Sequence, residues 1–275
     1  MSRILSKERL SENVVKLEMD APLIARKAKA GQFIIIRIDE NGERIPLTIA
    51  DSNSETGILT IIFQEVGKST FQLGKKKAGE ELADLVGPLG TQSEIENYGT
   101  VICVGGGIGI APIYPITKAL KAIGNNVIGI IGARCKNLLF WEDKMREVTD
   151  ELIVTTDDGS YARKALVTEP LKELMESRKI DRIVAIGPAI MMKFVSLTTK
   201  PYNIPTIVSL NTIMVDATGM CGACRCSVDG KTKFACVDGP EFDGHKVDWD
   251  EVLKRSQMYR EEEKIALKRF ERGEA

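Results

Sequence analysis

Gly99–Ala111 reads GTVICVGGGIGIA, an apolar run ending in four glycines within five positions, followed by Pro112 and a helical pattern through Leu120. A strand that ends in glycines and opens a helix lets the backbone approach a ligand closely, and the helix N-terminus adds its positive end. The dinucleotide fingerprint G-x-G-x-x-G is incomplete, because Ala111 and Pro112 stand where that motif continues toward its third glycine. The segments beyond this helix decide the fold. Asn126–Gly132, Glu142–Val148, Glu151–Thr155, Val167–Arg178 and Asp181–Ile186 alternate strand and helix character, which predicts a doubly wound parallel sheet. Such sheets bind ligands at their strand ends. Gly132-Ala133-Arg134, Thr156-Asp157-Asp158-Gly159 and Gly187-Pro188 stand there, although each taken singly is equally an ordinary loop.

Upstream, residues 1–97 show short β-branched runs at Asn13–Met19, Gln32–Ile38, Ile45–Ala50 and Gly57–Val66. Helical periodicity is weak, so an antiparallel β-barrel is expected. Pro46, Leu47 and Thr48 fall where a strand begins. The VGKST run, Val66–Thr70, offers consecutive N–H groups and hydroxyls that suit a pyrophosphate if a helix starts there. GPLG, Gly87–Gly90, reads as a rigid turn closing the barrel.

Downstream, Asp216–Cys236 reads DATGMCGACRCSVDGKTKFAC and holds four of the six cysteines. Cys221 and Cys224 form C-x2-C, and Cys236 comes after eleven intervening residues. Plant-type two-iron clusters are held in the pattern C-x4-C-x2-C with a distant fourth cysteine. Here Asp216 occupies the first position, and a carboxylate also binds iron. The favoured ligand set is therefore Asp216, Cys221, Cys224 and Cys236, with Cys226 packed nearby or replacing Asp216. The alternative is a structural zinc site made by the four cysteines, although only one C-x2-C knuckle is present. Cys103 and Cys135 lie in apolar, strand-like surroundings and read as core residues.

The 275 residues accommodate two domains and a small appendage: 1–97, 98–209 and 210–275. A hydrophobic content of 43% supports real cores, and a net charge of −1 gives no electrostatic case for nucleic acid. The N-terminal stretch has no apolar leader pattern and no run reaches a membrane span. A cytoplasmic protein is expected, in keeping with free thiolates. Trp249–Phe270 has the composition of one amphipathic helix that caps its own domain or docks a partner. His245, the single histidine, reads as a surface residue.

The order PLT, GKST, GPLG, GGGIGIAP, TDDGS, GP-x-x-MM and a cysteine loop ending in ACVDGPEFDG resembles the ferredoxin–NADP reductase superfamily. Within it the chain is similar to the electron-transfer subunits of dihydroorotate dehydrogenase. It is more similar still to the small subunits of NADH-dependent reduced ferredoxin:NADP oxidoreductases, the electron-bifurcating enzymes. The first group has cysteine at the position of Asp216 and the second aspartate. The resemblance implies FAD, a [2Fe-2S] cluster and NAD(H), with NADP(H) as the alternative, in a heterodimer with a large flavin/iron-sulfur subunit that meets ferredoxin. It places Leu47 and Thr48 against the isoalloxazine, with Pro46 beside them. Arg44 is one position early for the flavin-phosphate arginine, leaving Lys68 as a substitute. Gly67, Ser69 and Thr70 match the pyrophosphate-binding run, and Phe63 lies on the strand beside the ribityl and adenine side. Gly105, Gly106, Gly107, Gly109, Ala111 and Pro112 match the loop admitting nicotinamide. Asp157, Asp158, Gly187, Pro188 and Met191 match the pyridine-nucleotide cleft. Arg134 and Lys136 hold a 2′-phosphate or are merely exposed basic residues. No side chain is implied as an acid or base. The competing readings are an NAD-dependent dihydroorotate dehydrogenase electron-transfer subunit and a zinc-stabilised binding module without redox activity.

Overall fold

The computed structural model describes residues 2–274. The first unit contains β1 (Ser2–Ser11), β2 (Val14–Asp20), α1 (Pro22–Ala25), β3 (Phe33–Arg37), β4 (Arg44–Asn53), β5 (Ile58–Gln64), α2 (Lys68–Lys75), β6 (Glu81–Leu82) and β7 (Asp84–Leu89). Its strands pair in the order β6-β1-β2-β5-β4-β3-β7. The two edge strands are separated by Ala83 alone, so the sheet must curl until its edges meet, giving a nearly closed barrel. The fully buried Leu17 and Met19, Ile34 and Ile36, and Leu59 and Ile61 recur at every second position and fill the interior. Strand β1 carries that pattern poorly, with Ile4 its only buried hydrophobic residue, and its sequence gives little strand signal.

GPLG is not a turn. Gly87, Pro88 and Leu89 lie inside β7, whose ladder with β3 shifts register between Phe33 and Ile35. An irregularity of this kind accommodates a proline that lacks a ladder donor. Glycine is required at 87 because a Cβ there would stand 2.7 Å from Ile34 Cγ2.

The second unit runs β8 (Thr100–Gly106), α3 (Ile110–Ala122), β9 (Asn126–Ala133), α4 (Glu142–Glu147), β10 (Glu151–Thr156), β11 (Arg163–Lys164), α5 (Thr168–Ser177), β12 (Arg182–Ile186), α6 (Ala189–Thr199) and β13 (Thr206–Ser209). Strand order is β11-β10-β9-β8-β12-β13, parallel throughout. Central β8 is buried from Val101 to Gly106, as a parallel strand covered on both faces must be.

The third unit comprises the hairpin β14 (Arg225–Val228) and β15 (Lys231–Phe234), β16 (Glu241–Asp243), α7 (Trp249–Arg255) and α8 (Arg260–Glu271). Asp229 and Gly230, both with positive φ, make the tight turn that Asp-Gly favours. Strand β16 adds antiparallel to β13, tying this unit into the central sheet. Trp249–Phe270 is two helices, not one, broken at Ser256–Tyr259 with Tyr259 at φ 65°. The break lets α8 turn back onto α2, where Lys75 Nζ lies 4.1 Å from the Phe270 ring centre. His245 is not a free surface residue: its side chain is 17% exposed and its Nε2 shares a 2.8 Å hydrogen bond with Thr199 Oγ1. Cys103 is in the core, where burial pushes its thiol up to about 12. Cys135, past the end of β9, is half-buried instead.

Candidate functional site

A cleft of about 930 Å³ opens where the three units meet. One wall is the barrel: Arg44, Pro46, Leu47 and Thr48 of β4, Phe63 of β5, and Val66 and Thr70 at the start of α2. A second wall is the glycine loop and the end of β12, with Gly109, Pro112, Ile186 and Gly187. The third is the extended Ser209–Val215 segment with Arg225, Cys226, Val252 and Arg255. Sites of this size, apolar with a few convergent polar groups, suit a large organic cofactor.

A helix does begin within VGKST. Gly67 is its extended N-cap, and Thr70 Oγ1 accepts the Val66 and Gly67 N–H groups at 3.0 Å each. The Thr70 hydroxyl is thus committed to shaping the turn. Ser69 donates to Glu43 Oε2 at 2.6 Å. Gly67, Lys68 and Ser69 flank the cleft's lining and do not form part of it.

Steric demands explain the glycines of the loop after β8. A Cβ on Gly109 would lie 2.1 Å from the Ile186 carbonyl oxygen, so glycine lets α3 start against the end of β12. On Gly106 it would meet Met191 Sδ at 2.2 Å, and on Gly187 Met191 Cε at 2.8 Å. Met191 therefore wedges between the two strand ends. Gly105 leaves room for Ile113, and Gly107 has φ +54° with nothing near. Ala111 is buried in α3 and Pro188 caps α6. None of these except Gly109 and Gly187 lines the cleft itself.

Asp157 and Asp158 lie past β10, two strands from β8. Burial, with Asp158 next to it, raises the Asp157 carboxyl above the usual range. Hydrogen bonds from Ser160 hold Asp158 below it. Lys136 Nζ stands 5.1 Å from the Tyr161 ring centre in the same region, and Arg134 is exposed.

The cysteine loop closes on itself. Asp216 Oδ1 accepts the Thr218 N–H at 2.9 Å and Oδ2 the Cys221 N–H at 3.0 Å. These bonds, that from Thr218 foremost, hold its carboxyl below the usual range. Cys236 donates its N–H to Cys224 Sγ at 3.5 Å. Ala217, Gly219 and Gly222 take positive φ and bend the loop. Cys221 is exposed while Cys224, Cys226 and Cys236 are buried. Burial, then the neighbouring Cys224, pushes the Cys236 thiol up to about 12. Among the described residues no three His, Cys, Asp or Glu side chains stand in metal-binding geometry. The loop brings together Asp216 with Cys221, and Cys224 with Cys236. In residue type the set of three sulfurs and one carboxylate fits an iron–sulfur cluster. Cys226 faces differently: it lines the cleft, and its thiol donates to the Lys233 carbonyl at 3.7 Å.

Sequence reasoning reached Cys226 of the third wall and missed the rest. Ser209–Val215 (SLNTIMV) carries no glycine, charge or motif marking it as ligand-facing.

Barrel, glycine loop, parallel sheet and cysteine loop together define the class of reductases with the ferredoxin–NADP reductase fold and an iron–sulfur module. Phthalate dioxygenase reductase, described as a modular structure for electron transfer from pyridine nucleotides to [2Fe-2S], shares that fold at 17% identity, with a TM-score of 0.60 over 83% of this chain and 86% of its own. Residues 211–248 match the iron-sulfur cluster binding domain of dihydroorotate dehydrogenase B. The chain is 52% identical over 270 residues to a dihydroorotate dehydrogenase B (NAD(+)) electron transfer subunit homolog of Thermotoga maritima, covering 98% of this chain and 95% of the relative. It is 32% identical to the dihydroorotate dehydrogenase B (NAD(+)) electron transfer subunit of Desulforamulus reducens, over 90% of this chain and 98% of that one. The chain belongs to this family of electron-transfer subunits and their homologues, and is an oxidoreductase subunit. A solved structure of the NADH-dependent reduced ferredoxin-NADP oxidoreductase, studied for flavin-based electron bifurcation, contains a chain 51% identical to this one. Its TM-score is 0.93 and 98% of each chain is covered. Among the described residues no helix is long and apolar enough to cross a membrane.

Proposed function

We propose that this chain is the small subunit of an electron-bifurcating oxidoreductase, exchanging electrons between NAD(H) and a larger flavin- and iron-sulfur-bearing partner in a heterodimer. The observation that carries this reading is the three-walled cleft, with Pro46–Thr48 on one side and Cys226, two residues from Cys224, on another. The names borne by the relatives support it.

FAD held in the cleft would supply hydride exchange with a nicotinamide, and a [2Fe-2S] cluster held by the cysteine loop would supply single-electron transfer to the partner. Pro46, Leu47 and Thr48 would hold the flavin ring from the barrel side, and Phe63 lies on the strand beside the ribityl and adenine side. The α2 N-terminus at Gly67–Thr70, with Arg44 and Lys68 nearby, holds the pyrophosphate. Gly105, Gly106, Gly107 and Gly109 keep side chains off the path of the nicotinamide, and Ala111 and Pro112 follow at the start of α3. Met191, Gly187 and Pro188 set the floor of that path, and Asp157 and Asp158 line the far end of the nucleotide site. Orientation, not proton transfer, is the demand of hydride exchange, and the cleft's lining has no histidine. Asp216, Cys221, Cys224 and Cys236 are the proposed cluster ligands. Ferredoxin and NADP(H) are assigned to the partner. Residues 1–97, 98–209 and 210–275 are the three functional units.

The test is anaerobic titration of the purified complex with NADH and, separately, NADPH. Bleaching of this subunit's flavin by NADH at lower concentration than by NADPH supports the assignment. Bleaching by neither, with dihydroorotate reducing the complex, moves it to the dihydroorotate dehydrogenase reading.

A further inference from the structure

We infer that Arg255, at the end of α7, is a positioning residue for the cysteine loop: it ties the C-x2-C knuckle to the cleft wall and sets a positive charge beside the proposed cluster. This deepens the reading above and rests on it. Arg255 Nη2 donates to the Ala223 carbonyl at 2.8 Å. That oxygen belongs to the peptide joining Ala223 to Cys224, between the two cysteines of the knuckle. The same side chain lines the cleft, so it stands where the cleft and the cysteine loop meet.

This bond differs from the others that hold the loop. Gly222 accepts from Arg225, Cys224 from Ala235 and Cys236, and Asp216 from Thr218 and Cys221. All of those donors lie within Asp216–Cys236 and move with it. Among the described residues, Arg255 makes the one hydrogen bond that reaches residues 216–224 from outside that segment. Its own footing is firm. Trp249 and Val252 are buried in the same core cluster as Cys224, Cys226 and Cys236. The Trp249 indole N–H donates to the Gly244 carbonyl at 2.9 Å, and the Asp248 carboxylate caps the helix by accepting the Glu251 N–H at 2.9 Å. Helix α7 therefore offers the loop a fixed point.

The bond has two consequences for a cluster held by Cys221 and Cys224. Groups that orient metal ligands without touching the metal are worth about 10- to 100-fold in metal affinity. A guanidinium also keeps its charge at every working pH, and among the described residues Arg255 bonds the Ala223 carbonyl and no carboxylate. Reduction adds an electron to the cluster, so a fixed cation beside it favours the reduced state.

The test uses the full chain with its cofactors and compares Arg255→Gln and Arg255→Lys with wild type. Iron release to a ferrous chelator, the EPR spectrum of the reduced cluster and its midpoint potential are recorded. Arg255→Gln releases iron about 10- to 100-fold faster than wild type, and its midpoint moves to more negative potential. Arg255→Lys keeps the charge, so its midpoint stays at the wild-type value, while its iron release lies between the other two. Wild-type iron release and midpoint in Arg255→Gln overturn the inference. So does a midpoint displaced as far in Arg255→Lys as in Arg255→Gln, because the charge is then not what the cluster feels. An equal fall in the melting temperature of metal-free and cluster-loaded Arg255→Gln, with a wild-type midpoint, marks a structural role alone and overturns it too. A wild-type chain that binds zinc and no iron overturns the parent reading as well, and that outcome is visible before any variant is made.

Discussion

Replacing Gly109 by alanine tests the junction on which the cleft depends. Gly109 has φ −61° and ψ −13°, a conformation that alanine adopts freely, so backbone strain contributes nothing. The whole effect is the added Cβ, 2.1 Å from the Ile186 carbonyl oxygen and 2.8 Å from Gly187 Cα. Real Cβ contacts stay beyond 3.0 Å, so α3 and the end of β12 must separate by about 0.9 Å. Overpacking of this kind costs about 1–3 kcal/mol. In a chain somewhat larger than a 250-residue domain, each kcal/mol lowers Tm by roughly 2–4 °C, giving an expected fall of about 2–12 °C. Gly109, Ile186 and Gly187 also line the cleft, and a displacement near 1 Å at reacting groups slows a reaction by about 100-fold. Differential scanning calorimetry reads the first effect, and stopped-flow reduction of the flavin by NADH reads the second. Gly107→Ala is the control: its Cβ meets nothing within 4 Å, but φ is +54°, so it loses about 1–2 kcal/mol from backbone strain without pushing the two elements apart. A Gly109→Ala protein with wild-type Tm and a reduction rate within twofold of wild type refutes the reasoning.

Three further outcomes are expected. Asp216→Cys retains a two-iron cluster with altered EPR spectrum and midpoint potential, because a thiolate replaces a harder oxygen donor; unchanged signal and potential count against ligation by Asp216. Cys226→Ser keeps its iron, since this thiol lines the cleft and donates to Lys233; iron loss reassigns the ligand set. Glu241 is half-buried beside the Ser93 hydroxyl, which donates to it, and desolvation raises its pKa above the usual value. The folded chain therefore holds this proton more tightly than the unfolded one. That contribution is complete below the ordinary glutamate range and is lost as pH rises through the raised value. Glu241→Gln removes the loss, so its Tm relative to wild type climbs as pH rises above the ordinary glutamate range; parallel pH profiles contradict the assignment.

Much of the architecture is legible in the sequence because burial writes a period into it. The apolar alternation of β2 and the near-continuous apolar runs of β3, β5 and β8 come directly from one-sided and two-sided burial. What escaped was set by contacts remote in sequence. Strand β1 is polar at most positions because it lies at the barrel's surface. Pro88 reads as a turn former until the ladder with β3 shows a register shift that takes it in. The break before Tyr259 has no glycine to announce it, and its reason is the packing of α8 on α2. In the site, the motif residues on β4 and the turn at Gly109 were visible because glycine and proline punctuate the chain. The Ser209–Val215 wall was not, since an extended apolar linker looks the same whether it faces a core or a cofactor.

The measurement that bears most directly on the central claim is the iron, zinc and flavin content of anaerobically purified protein with its co-purifying partner, with EPR after reduction by NADH. The account predicts about two irons and one FAD for each copy of this chain beyond those of the partner, with a reduced two-iron signal. Zinc in place of iron, with no flavin, would contradict it and make the cysteine loop a structural metal site.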